Sequence, residues 1–487
     1  MHQSIVECVY DHAVNFPKKL CIVDESRKLT YKEYWNEILD LKEFLLQHGV
    51  QKGSCIVVVA NQSIDYLALE LAIQLCGAIF VPLERNCASK RVQDVITATN
   101  AIVVISESKE PYTCTSLTYN QIKENLDSGK NVHERIKFPE LEDTAEILFS
   151  TGTTGKPKGI ELTHRNDIAV AENVRRGVKM KSDNTELIPV PLNHSHGLRR
   201  YYGNMLNGST VIILSGVLNV KKVFEFIETY KVTAIDLVPA SLRILFKISG
   251  DKIGQYKEQL DYIQLGSAPL LESDKQRLCE LLPQTRLYNF YGSTESGCTC
   301  ILDFNEQKGL QNCIGRATYN TTFSFVDENY QPIAATPNHP GLIASSGAMN
   351  MKGYWKDPQE TAKVLRNGTI YSNDLAYQDN DGFIFMVGRK NDVINVGGNK
   401  VGPEEIEGIA LQYTGILDCA CIGVEDTLKG SVPKLFITVK DKENFDIKKF
   451  SLYLQSQMEV YKLPKYIEVI NKIPRAFNGK VLRRELY

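Results

Sequence analysis

The sequence is poor in the features that mark several common functional classes. Its 56 Lys and Arg stand against 58 Asp and Glu, for a net charge of −2, so there is no basic footprint for nucleic acid. The first residues, MHQSIVECVYDHAVNFPKK, lack a basic segment followed by an apolar one, and no secretory signal is read. No apolar run suits a membrane span: YLALELAIQLCGAIFVPL carries Glu70, breaks at Gly77 and Pro82, and reads as a buried helix followed by a strand. The 12 cysteines lack the spacing of a metal site or a disulfide framework. The C-x-C pairs Cys298/Cys300 and Cys419/Cys421 would each put two thiols on one strand face, as buried reduced residues of a cytoplasmic protein. Neither a fixed-period repeat nor a low-complexity linker is present.

What the chain does carry is a regular alternation. Its 487 residues, 43% hydrophobic and 23% charged, suffice for two to four domains, or for one large domain with a smaller partner. Strand-like SCIVVVA (54–60) precedes helix-like IDYLALELAIQLCG (64–77), strand-like IFVPL (79–83), helix-like SKRVQDVITATN (89–100) and strand-like AIVVIS (101–106). Apolar strands separated by helices predict an α/β fold with parallel sheets covered on both faces. The rhythm returns between TVIIL (210–214) and ESDKQRLCELL (272–282), then gives way after residue 320 to strands joined by turns. Within LAYQDNDGFIFMVGR (375–389), DNDG between two alternating segments predicts a β-hairpin. Mixed α/β texture beyond it is long enough for a small domain, so the expected division is 1–389 and 390–487.

Behind the apolar run AEILF comes STGTTGKPKG, Ser150 to Gly159. Gly152 and Gly155 are too close together, and Pro157 follows Lys156, which excludes a G-x-x-x-x-G-K-[ST] loop on spacing and on the missing Mg²⁺ hydroxyl. The composition still suits phosphate: glycines permit close backbone approach, Ser and Thr hydroxyls donate, and lysines supply charge. A plain turn would account for GTTG alone; the whole string is far more specific.

The string resembles the phosphate loop of the adenylate-forming superfamily, which includes acyl- and aryl-CoA synthetases, adenylation domains of peptide synthetases and firefly luciferase. Four further motifs follow in that family's order, and the resemblance covers essentially the whole chain. It implies that Ser150, Thr151, Gly152, Thr153, Thr154, Gly155 and Lys158 hold the ATP phosphates. NFYGSTES (289–296) is similar to the family's Y-G-x-T-E. It implies a nucleotide site at Asn289, Tyr291 and Gly292, with Tyr291 stacked on adenine and Asn289 facing the adenine amino group. Thr294 would touch phosphate, and Glu295 would hold Mg²⁺, which favours hard carboxylate oxygens. Ser267, Ala268 and Pro269 in QLGSAPL (264–270) resemble the G-A-A-P-L of acyl- and aryl-CoA synthetases and join that site.

In YSNDLAYQDNDGF (371–383), Asp374 matches the acid that binds both ribose hydroxyls, a task for two acceptor oxygens on one rigid group. The family's Thr-Gly before it is Ser372-Asn373 here, and Asn tolerates the left-handed backbone that Gly supplies. In GRKNDVINVGGNKVGPEEIE (388–407), Arg389 matches an arginine on ribose or phosphate. Asn391 stands at the hinge, where most relatives carry Asp or Lys, and Gly397, Gly398 and Asn399 fall in the segment lining the thiol tunnel. In PRAFNGKVLRREL (474–486), Lys480 takes the place of the catalytic lysine, whose ammonium offsets charge as a carboxylate attacks the α-phosphate.

The implied architecture is a large N-terminal domain of parallel and mixed sheets with a β-rich subdomain, and a small mobile C-terminal α+β domain. The implied chemistry uses ATP, Mg²⁺ and CoA: a carboxylic acid becomes an acyl-adenylate with loss of pyrophosphate, then its acyl group passes to a thiol. That thiol is CoA or, alternatively, the phosphopantetheine arm of a carrier protein. Implied catalytic residues are Lys480, Thr294, Glu295 and His194. The last lies in PLNHSHGL (191–198), where the family often reads P-L-F-H and the histidine borders the carboxylate. No Asp occurs within NHSHGLRRYYG to pair with an α-amino group, so an acid without one is expected. His196 is open between site and wall. Arg199 and Arg200 face either a polar group or second carboxylate on the substrate, or solvent as helix-surface charges. Monomer and homodimer are both compatible with the chain.

Overall fold

The computed structural model describes residues 2–128, 136–150, 158–397, 399–475 and 481–486, and three sheets organise it. The first runs, in spatial order, through Gly353–Tyr354, Lys158–Thr163, Thr144–Ser150, Ile79–Leu83, Cys55–Val59, Val103–Ser106 and Thr115–Thr118. From Thr144–Ser150 to Thr115–Thr118 its pairings are parallel. Cys55–Val59 and Ile79–Leu83 are buried at every position, as strands must be when helices cover both faces. The helix Ile64–Leu75 starts on a Ser63 cap that accepts from the Tyr66 amide, and it is buried around its circumference, Glu70 included.

The second sheet has 14 strands. Its parallel block runs Leu20–Val23, Thr210–Ile213, Thr185–Ile188, Ala234–Leu237, Tyr262–Leu265 and Arg286–Ser293. The antiparallel hairpin of Arg286–Ser293 with Gly297–Asp303 ends that block. The β-rich part expected after residue 320 is continuous with it: Cys313–Ala317 pairs with both Gly297–Asp303 and Ile384–Arg389. Loops that leave the carboxyl ends of adjacent parallel strands form the natural crevice of such a sheet, and the segments 266–269 and 294–296 are two of them. A third sheet begins at Ile394 and, with helices Pro403–Ala410 and Ile447–Gln457, encloses a hydrophobic core of its own.

Two local expectations are corrected. Cys419 and Cys421 share a core, but Cys298 and Cys300 do not: a bulge opposite Tyr291 and Gly292 sends Cys298 to the side of Phe290 and Cys300 to the side of Tyr291. Asn373 is not left-handed; it lies within the extended strand Thr369–Gln378, and its carbonyl accepts the Lys390 amide at 2.7 Å. Among the described residues no helix is long and apolar enough to cross a membrane.

Candidate active site

Three of the expected nucleotide residues converge at the junction of the second sheet. Tyr291 Oη donates to Asp374 Oδ2 at 2.5 Å. Asp374 and Arg389 are register partners in neighbouring antiparallel strands, with Arg389 Nε 3.4 Å from Asp374 Oδ1. The Asp374 amide donates to Ser372 Oγ at 3.1 Å. Burial and the Asp374 carboxylate push the Tyr291 phenol well up, so it remains a donor. Asn289 lies two positions earlier on the same strand and so shares the strand face of Tyr291. Its Oδ1 is buried without a hydrogen-bond partner among the described residues. An orphaned buried acceptor of this kind calls for a donor, and an exocyclic amino group supplies one.

Beside this cradle, Ser267 holds a left-handed backbone at φ +69°, a strained state for a residue with a side chain. It is exposed at the head of the Ala268-Pro269 loop. Gly292 is required for steric reasons: a Cβ there would stand 1.9 Å from the Gly297 carbonyl oxygen.

The adjoining turn carries the groups expected to meet phosphate and metal. Thr294 Oγ1 is 3.1 Å from Ser195 Oγ. Glu295 Oε1 accepts from Tyr354 Oη at 3.0 Å, and the Glu295 carbonyl accepts the Met351 amide at 2.8 Å. Lys158 lies 5.1 Å from the Tyr354 ring centroid and donates to Glu360 Oε2 at 2.5 Å. Hydrogen bonds from Lys158 and Lys363 hold the Glu360 carboxyl down at about 2. Ser150 and Lys158 are register partners that close the loop; Thr151, Gly152, Thr153, Thr154 and Gly155 lie outside the described residues. Among the described residues no cluster of three or more acids, His or Cys suits a metal ion. One carboxylate, Glu295, nevertheless fits Mg²⁺, which commonly takes one or two carboxylates and completes its shell with phosphate oxygens and water.

His194 sits at the N-cap of the helix Ser195–Asn207 without a side-chain cap bond. Its side chain reaches solvent yet stands in a recess, where desolvation lowers its pKa. His196 Nε2 is 3.1 Å from Oδ1 of Asp236, which is fully buried and also receives Gln264 Nε2 at 3.2 Å. Arg199 and Arg200 are neither surface charges nor open to a substrate. Arg200 is fully buried on Glu186, with Nη2 at 2.7 Å from Oε1 and 3.0 Å from Oε2. Arg199 donates to the Ser293 and Thr294 carbonyls.

Beyond the second sheet, Asn391 is exposed in a turn closed by the Asp392 and Val393 amides on the Arg389 carbonyl, at 2.9 and 2.8 Å. Gly397, exposed at φ +58°, heads the hairpin of Ile394–Val396 with Asn399–Val401, in which Asn399 pairs with Val396. Gly398 and Lys480 lie outside the described residues; Val481, next to Lys480 in the chain, pairs with Arg475. Motif reading missed Tyr354, which links Glu295 to Lys158, and the clamp made by Arg199. Neither has a local signal, because each contact is made across the fold.

Comparison with known proteins adds to this geometry. The family described as AMP-binding enzyme matches residues 9–355, and the AMP-binding enzyme C-terminal domain matches residues 405–480. A 2-succinylbenzoate–CoA ligase of Geobacillus sp. is 26% identical over 502 residues, covering 100% of this chain and 98% of the relative. A long-chain-fatty-acid–CoA ligase of Bacillus subtilis is 26% identical over 532 residues, covering 100% and 94%. Among solved structures, the o-succinylbenzoate CoA synthetase of Bacillus subtilis in complex with its acyl-adenylate has the same fold, with a TM-score of 0.87 at 23% identity over 98% of this chain and 97% of that one. ATP-bound MatB from Rhodopseudomonas palustris gives a TM-score of 0.88 at 22% identity, covering 100% and 98%.

Proposed function

The chain belongs to the AMP-binding enzyme family and is an AMP-forming acid–CoA ligase, and from that premise we propose how its residues divide the two half-reactions. The observation that carries the reading is the cradle in which Tyr291, Asp374 and Arg389 meet beside the orphaned Oδ1 of Asn289. Adenine lies against Tyr291, with its amino group donating to Asn289 and the Ser267-Ala268-Pro269 loop and Gly292 alongside. Asp374 accepts the ribose hydroxyls and Arg389 supports it. The phosphates extend toward Thr294 and the loop from Ser150 to Lys158, where Lys158 exchanges Glu360 for phosphate oxygen.

The acid, bordered by His194, attacks the α-phosphorus through a carboxylate oxygen. The new P–O bond forms as the bond to pyrophosphate breaks. Glu295 would hold Mg²⁺, which would supply neutralisation of phosphate charge. Lys480 brings a second positive charge to the same centre. For the thiol step, the segment 390–487 moves as a domain about Asn391, so that Gly397, Gly398 and Asn399 line the approach of CoA. The thiol sulfur then attacks the acyl carbon and AMP leaves. The absence of an Asp from NHSHGLRRYYG supports an acid without an α-amino group, and Asp236, which meets this segment at His196, is buried and already engaged by His196 and Gln264.

A screen of carboxylic acids for ATP-dependent pyrophosphate release, run with free CoA and with a holo carrier protein, tests the reading. Release should require one acid class and yield a CoA thioester. Silence with every acid overturns the reading, and turnover only with the carrier would replace CoA as acceptor. Lys480→Ala should abolish pyrophosphate exchange into ATP while leaving thiolysis of supplied acyl-adenylate largely intact. Wild-type exchange in that variant would remove Lys480 from the mechanism.

A further inference from the structure

The helix Ser195–Asn207 turns two side chains toward a single turn of the neighbouring hairpin. Ser195 and Arg199 are four residues apart and therefore share a helix face. Ser195 Oγ meets Thr294 Oγ1 at 3.1 Å. Arg199, only 7% exposed, donates from Nη1 to the Ser293 carbonyl at 2.9 Å and from Nη2 to the Thr294 carbonyl at 2.8 Å. A buried guanidinium is costly without opposing charge. Here it is met by those two carbonyl dipoles, and its charge partly offsets the burial that raises the Glu146 and Asp167 carboxyls.

The consequence for the turn follows from peptide geometry. A trans peptide is planar, with its N–H opposite its C=O. Drawing the Ser293 and Thr294 carbonyls inward therefore turns the amides of Thr294 and Glu295 outward, to the side on which Gly292 and Ser293 are exposed. Neither amide has a hydrogen-bond partner among the described residues. His194 is the N-cap of the same helix, so one rigid element ties the end that borders the acid to the turn that meets the phosphate.

We propose that Arg199 is a positioning residue of the adenylation site: its planar fork locks two peptide planes, so that the Thr294 and Glu295 amides, the Thr294 hydroxyl and the Glu295 carboxylate face the α-phosphate as one unit. The assignment rests on the nucleotide site of the proposed function. Lysine at this position would keep the positive charge but lose the fork, because an ammonium is a point charge on a flexible stem. Small misplacement of a reacting group costs about a hundredfold in rate.

The test uses full-length protein and an acid that the wild type activates. In Arg199→Lys, kcat for pyrophosphate exchange should fall about a hundredfold, with the KM for the acid unchanged. The rise in melting temperature on adding ATP should need more Mg²⁺ than in the wild type, a binding readout independent of turnover. Arg199→Met should lose more on both counts. Wild-type kcat and Mg²⁺ dependence in Arg199→Lys overturn the assignment, and so does a loss confined to the KM for the acid. An Arg199→Lys protein that does not fold also overturns it, since a charge-conserving change would then mark a residue of the fold. If the wild type shows neither exchange with any acid nor stabilisation by MgATP, the proposed function falls and takes this assignment with it. An active wild type beside an unaffected Arg199→Lys overturns the assignment alone.

Discussion

Asp374 accepts a hydrogen bond from the Tyr291 hydroxyl at 2.5 Å and is paired with Arg389, whose Nε lies 3.4 Å from its other oxygen. Tyr291→Phe keeps the ring face and removes only the hydroxyl. A hydrogen bond to a charged group is worth about 1.5–3 kcal/mol, so the KM for ATP should rise about tenfold or more while the KM for the acid stays put, as read by steady-state pyrophosphate release. Residue types such as Tyr291, Asp374 and Arg389 were legible because motif spacing keeps them in recognisable company. Arg199 was not: an arginine in a helical pattern carries no mark of what it will be buried against. The pair Arg199-Arg200 looked equivalent in sequence, yet one clamps backbone and the other a carboxylate.

At the scale of the element, the helix Ser195–Asn207 is fastened to the strand Thr185–Ile188 by Arg200 and Glu186, both fully buried, with Tyr262 Oη and Asn204 Nδ2 donating to Glu186 Oε2 at 2.8 and 2.6 Å. Removing one partner strands the other charge. Arg200→Met should therefore destabilise the protein by about 3–5 kcal/mol, measured by urea unfolding, and replacing Glu186 with leucine in the same chain should restore most of it. The helices and strands themselves were legible from periodicity, since Cys55–Val59, Ile79–Leu83 and Ile64–Leu75 fall where apolar runs put them. The bulge that separates Cys298 from Cys300 was not, because register shifts depend on the partner strand.

Across the whole molecule, pairing of sheets and helices buries acids that read in sequence as ordinary charges. Tyr202 Oη contacts both Glu70 Oε1 and Glu146 Oε2. One hydroxyl proton can serve only one of them, so a protonated carboxyl must donate the other bond. Burial raises Glu146 to about 7 and lifts Glu70 and Asp167 well above the usual carboxylate range. An acid whose pKa is higher folded than unfolded stabilises fully below its unfolded pKa of 4.5, and that contribution is lost as pH climbs toward 7. Buried His164, lowered by desolvation to about 4 from 6.5, has the opposite slope: it costs stability as pH falls below 6.5. The two oppose each other between pH 4.5 and 6.5, so the informative quantity is the difference between variant and wild type. Glu146→Gln should gain melting temperature relative to the wild type as pH rises through this window and hold that gain above 7; a constant difference would remove Glu146 as the titrating group. The sequence by itself determined the kinds and order of elements and the residue types able to meet a nucleotide, because periodicity and motif spacing are local properties of a chain. Only the tertiary structure decided that Arg199 grips the Thr294 turn, that Arg200 is sealed on Glu186, and that Glu70 and Glu146 share Tyr202. Those contacts join distant stretches of chain, and their energies come from burial that exists only once the layers have packed.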